Sequence, residues 1–363
     1  MAKGGAPLRV LYIGGTGQIS CSCLRLSVDS DMTVFALNRG SHSSGRELPA
    51  DVTWLAGDVT NQKSLTKALG DHTFDAVVNF LSYDEEDAHR FVNTFEERTK
   101  QYVHISSASV YGKPVLSWPI VESTPTHNRF LAYARAKLRA ESELRYAYAN
   151  TGFPLTIVRP SHTYDDAGPP VMGGWTLVDR IARGAEIPVH GDGTSLWTLT
   201  HAEDFAVGLV GLLGNSRAIG ETFHITSDDV YTWDQIYSII GDALGVKARL
   251  VHIPSEFFPL IAPDWPWSEL VVGDLCHSAV FDNSKIRRFV PEFLPTVTFS
   301  RAATRIVQWR QAHPTTTRAD EATELLLERI VVAYHAGRQA CLATVPKGIC
   351  SEGKRAERAM IHH

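Results

Sequence analysis

Tyr133 and Lys137 stand four residues apart in the segment Tyr-Ala-Arg-Ala-Lys. On a helix that spacing places a phenol and an ammonium on one face. The positive charge favours phenolate, so it is expected to draw the tyrosine pKa down from about 10 towards working pH. A tyrosine tuned in this way can move a proton to or from a substrate hydroxyl. Upstream lies Ser106-Ser107-Ala108-Ser109-Val110-Tyr111-Gly112. Ser107 is placed to hold the substrate oxygen, which gives a candidate catalytic set of Ser107, Tyr133 and Lys137. A Tyr-x-x-x-Lys pair alone is common and mostly structural. Its combination with the serine segment and with a glycine loop near the N-terminus carries the argument.

That loop is Gly14-Gly15-Thr16-Gly17-Gln18-Ile19-Ser20, directly after the apolar run 9–13. Glycines let the backbone turn sharply and approach a pyrophosphate, and the following helix N-terminus offers free N–H groups and a partial positive charge. No Gly-Lys-Ser/Thr follows, so the loop is not a P-loop. Gly14, Gly17, Gln18 and Ile19 are its candidate cofactor residues. The second apolar run ends at Asn38-Arg39-Gly40-Ser41. An acid there would suit the 2′-hydroxyl of NAD. Asn38 and Arg39 with Ser41, Ser43 and Arg46 suit a 2′-phosphate instead, favouring NADP over NAD. A solvated basic loop is the competing reading. Asp58 and Val59 are expected near the adenine, although Asp58 equally fits a helix N-cap. Phe80, Tyr133 and Lys137 complete the cofactor set, with Lys137 reaching the ribose.

The elements that must position these groups alternate. Apolar runs at 9–13, 33–37, 53–56, 76–80, 102–106 and 155–159 read as strands. The stretches 62–69, 85–97 and 133–149 read as helices. This rhythm implies βαβ units and a doubly wound parallel sheet with helices on both faces, in the α/β class. Near-continuous β-branched runs fit strands buried on both sides. After residue 160 the rhythm changes. Residues 165–174 form a Gly/Pro/Asp-rich loop. Helices are expected at 175–183, 202–213 and 232–244, strands at 187–190 and 221–226, and an irregular cap at 253–267. The stretch 319–337 has helical apolar spacing with acids early, and would dock on the body or on a second subunit. The expected division is a dinucleotide-binding part over 1–160, whose core also receives later elements. A substrate-binding part follows over 161–313, and a helical extension over 314–363.

The chain has 363 residues, 44% hydrophobic and 21% charged, with a formal net charge of −5. This is an ordinary globular composition and argues against a nucleic-acid partner. No apolar run approaches the roughly 20 residues of a membrane span, and the N-terminus lacks a secretory pattern. Five scattered cysteines form no C-x-x-C pair, so reduced thiols and a cytoplasmic location are expected. The histidines show no zinc-ligand spacing, so no metal site is expected.

Together these motifs resemble the extended and atypical short-chain dehydrogenase/reductases, in particular the NAD-dependent epimerase/dehydratase family, from about residue 8 to 313. The resemblance implies a Rossmann sheet with a smaller C-terminal α/β substrate-binding domain. It also implies a bound nicotinamide cofactor, a small sugar-like substrate, epimerisation or dehydration by transient hydride transfer, and a homodimer. Net NADP(H)-dependent oxidoreduction and a non-catalytic nucleotide- or RNA-binding relative are the alternatives. The family's serine, tyrosine and lysine fall on Ser107, Tyr133 and Lys137. Asn38-Arg39-Gly40 also resembles an atypical branch that includes chloroplast stem-loop binding proteins. Two departures matter. Trp197 stands where sugar-nucleotide enzymes carry an arginine that grips the diphosphate, and His162 stands where an asparagine is expected. Lys285, Arg287 and Arg288 are candidate replacements for the arginine. Trp197 is read equally as a stacking platform or a core aromatic. The candidate substrate set is Ser107, Ser109, Tyr111, His162, Trp197 and His201.

Overall fold

The structure, a computed structural model, describes residues 6–40 and 46–344. The first half runs β1 (Arg9–Ile13), α1 (Ser20–Asp29), β2 (Thr33–Asn38), β3 (Val52–Ala56), α2 (Gln62–Leu69), β4 (Ala76–Asn79), α3 (Glu85–Phe95), β5 (Tyr102–Ile105), α4 (Ala132–Thr151) and β6 (Leu155–Pro160). The second half supplies β7 (His162–Tyr164), α5 (Trp175–Ala182), β8 (Glu186–His190), β9 (Leu196–His201), α6 (Ala202–Leu212), β10 (Thr222–Ile225), β11 (Val230–Thr232), α7 (Trp233–Leu244) and β12 (Arg249–Ile253). The helices α8 (Phe257–Ile261), α9 (Pro266–Leu270), α10 (Ser284–Phe289), α11 (Phe299–Ala312) and α12 (Glu321–Thr344) follow.

Seven parallel strands form the main sheet in the order β3-β2-β1-β4-β5-β6-β10. It is the Rossmann-type α/β sheet that the rhythm implies. Alternation along β1 explains why both faces are covered. Val10 and Tyr12 pack with Leu24 of α1 and with Phe205 and Leu209 of α6. Leu11 and Ile13 pack with Leu65 of α2, Phe91 of α3 and Leu144 of α4. The strand order reverses between β1 and β4, which opens a crevice beyond their carboxyl ends, the usual ligand position in such sheets.

A second core gathers α5, α7 and α11 around a three-stranded sheet, β11-β9-β7, and a parallel pair, β12-β8. Four of these strands, β7, β9, β11 and β12, were not expected from the sequence. The expected irregular stretch 253–267 resolves into the end of β12 and the short helices α8 and α9. The helix expected at 319–337 extends to Thr344, and it docks on the body of the chain. Leu327, Ile330 and Val331 are buried, and Arg180 of α5 is held by Glu324 and, at 2.9 Å, by Glu328.

Candidate active site

Gly14 closes β1 at φ +86°, a conformation costly for any residue with a Cβ. Its backbone N–H donates to Leu37 O at 3.2 Å. Ser20, the first residue of α1, donates to Gly14 O and accepts from the Gly17 N–H, both at 2.8 Å. The turn is thereby fixed at the carboxyl edge of the sheet. A Cβ on Gly14 would lie 2.8 Å from Leu81 Cγ. Gly14→Ala is therefore expected to lose about 1–3 kcal/mol of stability through strain. Denaturant titration checks this, and an unchanged midpoint would contradict the account.

A cleft of about 470 Å³ opens beside this turn, lined among others by Gly14, Gly17, Asn38, Arg39, Asp58 and Val59. Asn38 Oδ1 accepts from the Gly40 N–H at 2.8 Å, while its buried Nδ2 has no hydrogen-bond partner. A donor is thus available to a ligand in a cleft whose floor only glycine can form, and this fits a dinucleotide. Asp58 accepts from the Thr60 N–H and hydroxyl at 2.9 and 2.8 Å, bonds that hold its carboxyl below the usual range.

Other expected cofactor residues lie elsewhere. Gln18 Nε2 donates to Gly168 O at 3.1 Å, Ile19 packs into the core at the start of α1, and Phe80 stacks on Tyr12. None of the three lines the cleft. Arg46 is bound to Asp165 at 2.5 and 3.0 Å. Ser41 and Ser43 lie outside the described residues. Thr16, Leu81, Tyr83 and Asp87 line the cleft without having been singled out.

Tyr133 sits in the first turn of α4, with Lys137 and Glu141 at one-turn intervals on the same face. Lys137 is fully buried, and its Nζ donates to Ser82 O at 2.7 Å and Ile105 O at 3.0 Å. The ammonium lies 4.6 Å from the Tyr83 ring centre and 5.8 Å from that of Tyr133. Tyr83 lines the cleft and Tyr133 lines a second cavity; Lys137 lines neither and lies buried beside both rings.

The expected lowering of the tyrosine pKa is not what this arrangement gives. Burial pushes Tyr133 up to about 12, assisted by Tyr83 and opposed by a hydrogen bond from Ser107. Because 43% of Tyr133 stays exposed, water offsets part of that cost without reversing its direction. The same burial pulls Lys137 down from 10.5 to about 8, against Asp87 and Glu141. Between those two values the unfolded chain binds more protons than the folded one, so stability rises with pH across that window. Relative to Lys137→Met, the wild type is expected to gain stability from pH 8 towards 10.5. A pH-independent difference in melting would contradict burial of the amine.

The second cavity, about 150 Å³, is lined by Ser107, Ser109, Tyr133, His162, Trp197, Lys113 and Asp274, among others. Ser107 Oγ is 2.9 Å from Ser109 Oγ and accepts from the Ser109 N–H. Trp197 takes the core-aromatic reading, although one edge of it lines the cavity. It is a buried aromatic packed on Trp233, and its indole N–H donates to His162 Nδ1 at 3.0 Å. Lys113 and Asp274, an ion pair at 2.6 Å, were not singled out from the sequence.

Two expected substrate residues fall outside this cavity. Tyr111 is buried in a network in which its hydroxyl is shared with His224 and accepts from Arg159 at 3.0 Å. Arg159 in turn donates to Glu141 at 2.9 and 2.5 Å. His201 caps α6, accepting from the Glu203 N–H at 3.2 Å, and faces Asp166 at 3.3 Å. Both are consumed by structure. Of the candidate replacement cations, Lys285 pairs with Glu221 at 2.6 Å and Arg287 with Asp228. Neither they nor Arg288 line the cavity.

Among the described residues the only cluster with metal-ligand spacing is Glu85, His89 and Glu143, which line neither cavity. The described cysteines, Cys21, Cys23, Cys276 and Cys341, are free. No described helix is long and apolar enough to cross a membrane.

A parallel sheet with a glycine turn at its switch point and a Tyr-x-x-x-Lys helix beside it defines a dinucleotide-fold class of protein. Residues 10–226 match the model of the NAD dependent epimerase/dehydratase family, and the chain belongs to that family. It is 27% identical over 290 residues to 2'-dehydrokanamycin reductase of Streptomyces kanamyceticus, covering 79% of this chain and 80% of the relative. It is 26% identical over 266 residues to the chloroplast stem-loop binding protein of 41 kDa b of Arabidopsis thaliana, covering 69% and 67%. Among solved structures, UDP-glucose 4-epimerase of Bifidobacterium longum in complex with NAD+ and UDP superposes with a TM-score of 0.68. That match has 20% identity and covers 85% of this chain and 99% of the other.

Proposed function

We propose that this chain is an NAD(P)-dependent enzyme that epimerises or dehydrates a sugar-like ring, or oxidises or reduces it, at one hydroxyl-bearing carbon. The observation that carries the reading is that Lys137 Nζ lies beside both Tyr83, which lines the glycine-floored cleft, and Tyr133, which lines the cavity with Ser107. Gly14, Gly17, Asn38, Arg39, Asp58 and Val59 would hold the dinucleotide. When bound, it supplies a hydride acceptor and donor. Tyr133 Oη takes the proton of the substrate hydroxyl and gives it back on reversal. Ser107 Oγ donates to the same substrate oxygen. Lys137 Nζ lies 5.8 Å from the centre of the Tyr133 ring and ties α4 to the backbone oxygens of Ser82 and Ile105.

The cavity bears on the outcome at the carbon. Elimination of water needs a second acid to protonate the departing hydroxyl. Beyond Tyr133, the titratable side chains of the cavity among the described residues are Lys113 and Asp274, bound to each other, and His162. Lys113, which keeps N–H donors beyond its contact with Asp274, is the group placed to give that proton, so dehydration stays within reach of the site beside epimerisation and net redox chemistry. The reductase among the relatives, matched over most of both chains, favours net reduction as the second reading. Turnover of candidate sugars without added NADP(H) supports epimerisation. A steady nicotinamide absorbance change in proportion to product supports the reductase. Neither signal with any sugar, alcohol or ketone tested would sink both.

Arg39 lines the cleft and Arg46 is occupied by Asp165, so the preference for NADP falls on Arg39. Arg39→Ala is expected to weaken NADP binding by about 10–100-fold and NAD binding little, the worth of a charge-assisted phosphate contact. Equal effects on the two dinucleotides would remove the case for NADP. The same reading carries a cytoplasmic homodimer with no nucleic-acid or membrane partner.

A further inference from the structure

We infer that the Lys113–Asp274 ion pair, together with the Nε2–H of His162, is a receptor for an uncharged hydroxylated ring rather than for a sugar phosphate or nucleoside diphosphate sugar. The inference rests on the sugar-ring reading above and names its substrate class. Lys113 Nζ lies 2.6 Å from Asp274 Oδ1, with the side chains 2% and 12% exposed. Both line the cavity. An ammonium carries three N–H donors and a carboxylate has two accepting oxygens. One contact between them leaves donors on Lys113 and acceptor sites on Asp274 facing a ligand, while their charges cancel.

His162 adds a donor whose position is fixed. Indole N–H can only donate, so the 3.0 Å bond from Trp197 makes His162 Nδ1 an acceptor and places the ring proton on Nε2. Burial pulls the His162 pKa down to about 4, which keeps the ring neutral. The one hydrogen bond of the ring among the described residues is that at Nδ1, and His162 lines the cavity.

The cavity thus offers donors and acceptors side by side and no net charge. A hydroxyl, both donor and acceptor, matches that pattern. A phosphate does not: among the described residues the cation of the cavity, Lys113, is already neutralised, Asp274 repels a second anion, and no arginine lines the cavity. The nearby Arg129 lines a separate cavity that shares Lys113 with this one. A volume of about 150 Å³ is small against the ~300–1,000 Å³ of sites for larger ligands, and suits a single ring.

Calorimetric titration of the full chain, with and without saturating NADP, tests this. The probes are methyl pyranosides of several configurations, the matching sugar 1-phosphates, amino sugars and UDP-sugars. Neutral pyranosides are expected to bind at least about tenfold tighter than their 1-phosphates, a modest like-charge penalty. Asp274→Asn removes the carboxylate that neutralises Lys113 and repels phosphate, and is expected to raise sugar 1-phosphate affinity by about tenfold or more on the same grounds. Should that variant not fold, the wild-type order of affinities decides alone. Preference for phosphorylated or amino sugars, or no binding of any neutral pyranoside, overturns the inference. NADP titration of the same samples keeps the two readings apart. Failure to bind any dinucleotide sinks the enzymatic reading, whereas a dinucleotide-binding chain that prefers phosphate sinks only this one.

Discussion

Tyr133→Phe is expected to cut turnover by about 10²–10⁴-fold, the usual worth of a positioned proton-transfer group, and to leave folding and dinucleotide affinity intact. Phenylalanine keeps the ring that packs near Lys137 Nζ at 5.8 Å and removes only the hydroxyl. The loss should appear in kcat, because the hydroxyl acts on the proton in flight and adds little to ground-state binding. The wild type adds a second signature. With the phenol pushed up to about 12, the phenolate fraction grows with pH across the working range. The rate in the proton-accepting direction should therefore climb on the alkaline side, and Tyr133→Phe should flatten that limb. A variant with full activity and an unchanged profile would mean that another group moves the proton.

Glu141→Ala is expected to cost about 3–5 kcal/mol, the penalty for leaving a buried charge without its partner. Glu141 is the third member of the Tyr133–Lys137 face, and its side chain is 3% exposed. It accepts from Ser106 Oγ at 2.6 Å and from Arg159 at 2.9 and 2.5 Å. Arg159, itself buried, continues through Tyr111 to His224 and so ties α4 to the ends of β6 and β10. Truncating Glu141 strands the guanidinium and loosens the helix that presents the tyrosine, so activity should fall with stability. Glu141→Met with Arg159→Met removes both charges and should recover much of the loss, since a buried pair as a whole contributes little net stability. Denaturation midpoints of Glu141→Met, Arg159→Met and the double variant check this. Additive losses would show that the pair is not the unit.

The early elements were legible because physics made them redundant. Strands β1, β2 and β4 are covered on both faces and read as unbroken apolar runs, and the glycine turn adds its own conformational demand. The late strands were not. Leu196-Trp-Thr-Leu-Thr-His pairs with the three-residue strands β7 and β11, whose partners lie far along the chain. Short polar strands carry little periodic signal. The candidate site divides in the same way. Ser107, Tyr133 and Lys137 are set by local spacing and fall together. Tyr111 and His201 share the same motif neighbourhoods yet point into structural networks, which no linear pattern reveals. Lys113 and Asp274 meet only through the tertiary fold. Glu141 was within reach, since Tyr133, Lys137 and Glu141 repeat at helical spacing, and a buried acid on that face had to find a cation.

The most direct measurement is a crystal structure of the chain grown with NADP or NAD. The account predicts the pyrophosphate against Gly14–Gly17 and the nicotinamide in contact with Tyr133 Oη and Ser107 Oγ, with Lys137 released towards the ribose. Dinucleotide bound elsewhere, or a nicotinamide beyond contact distance of Tyr133, would contradict the placing of that tyrosine at the reacting carbon.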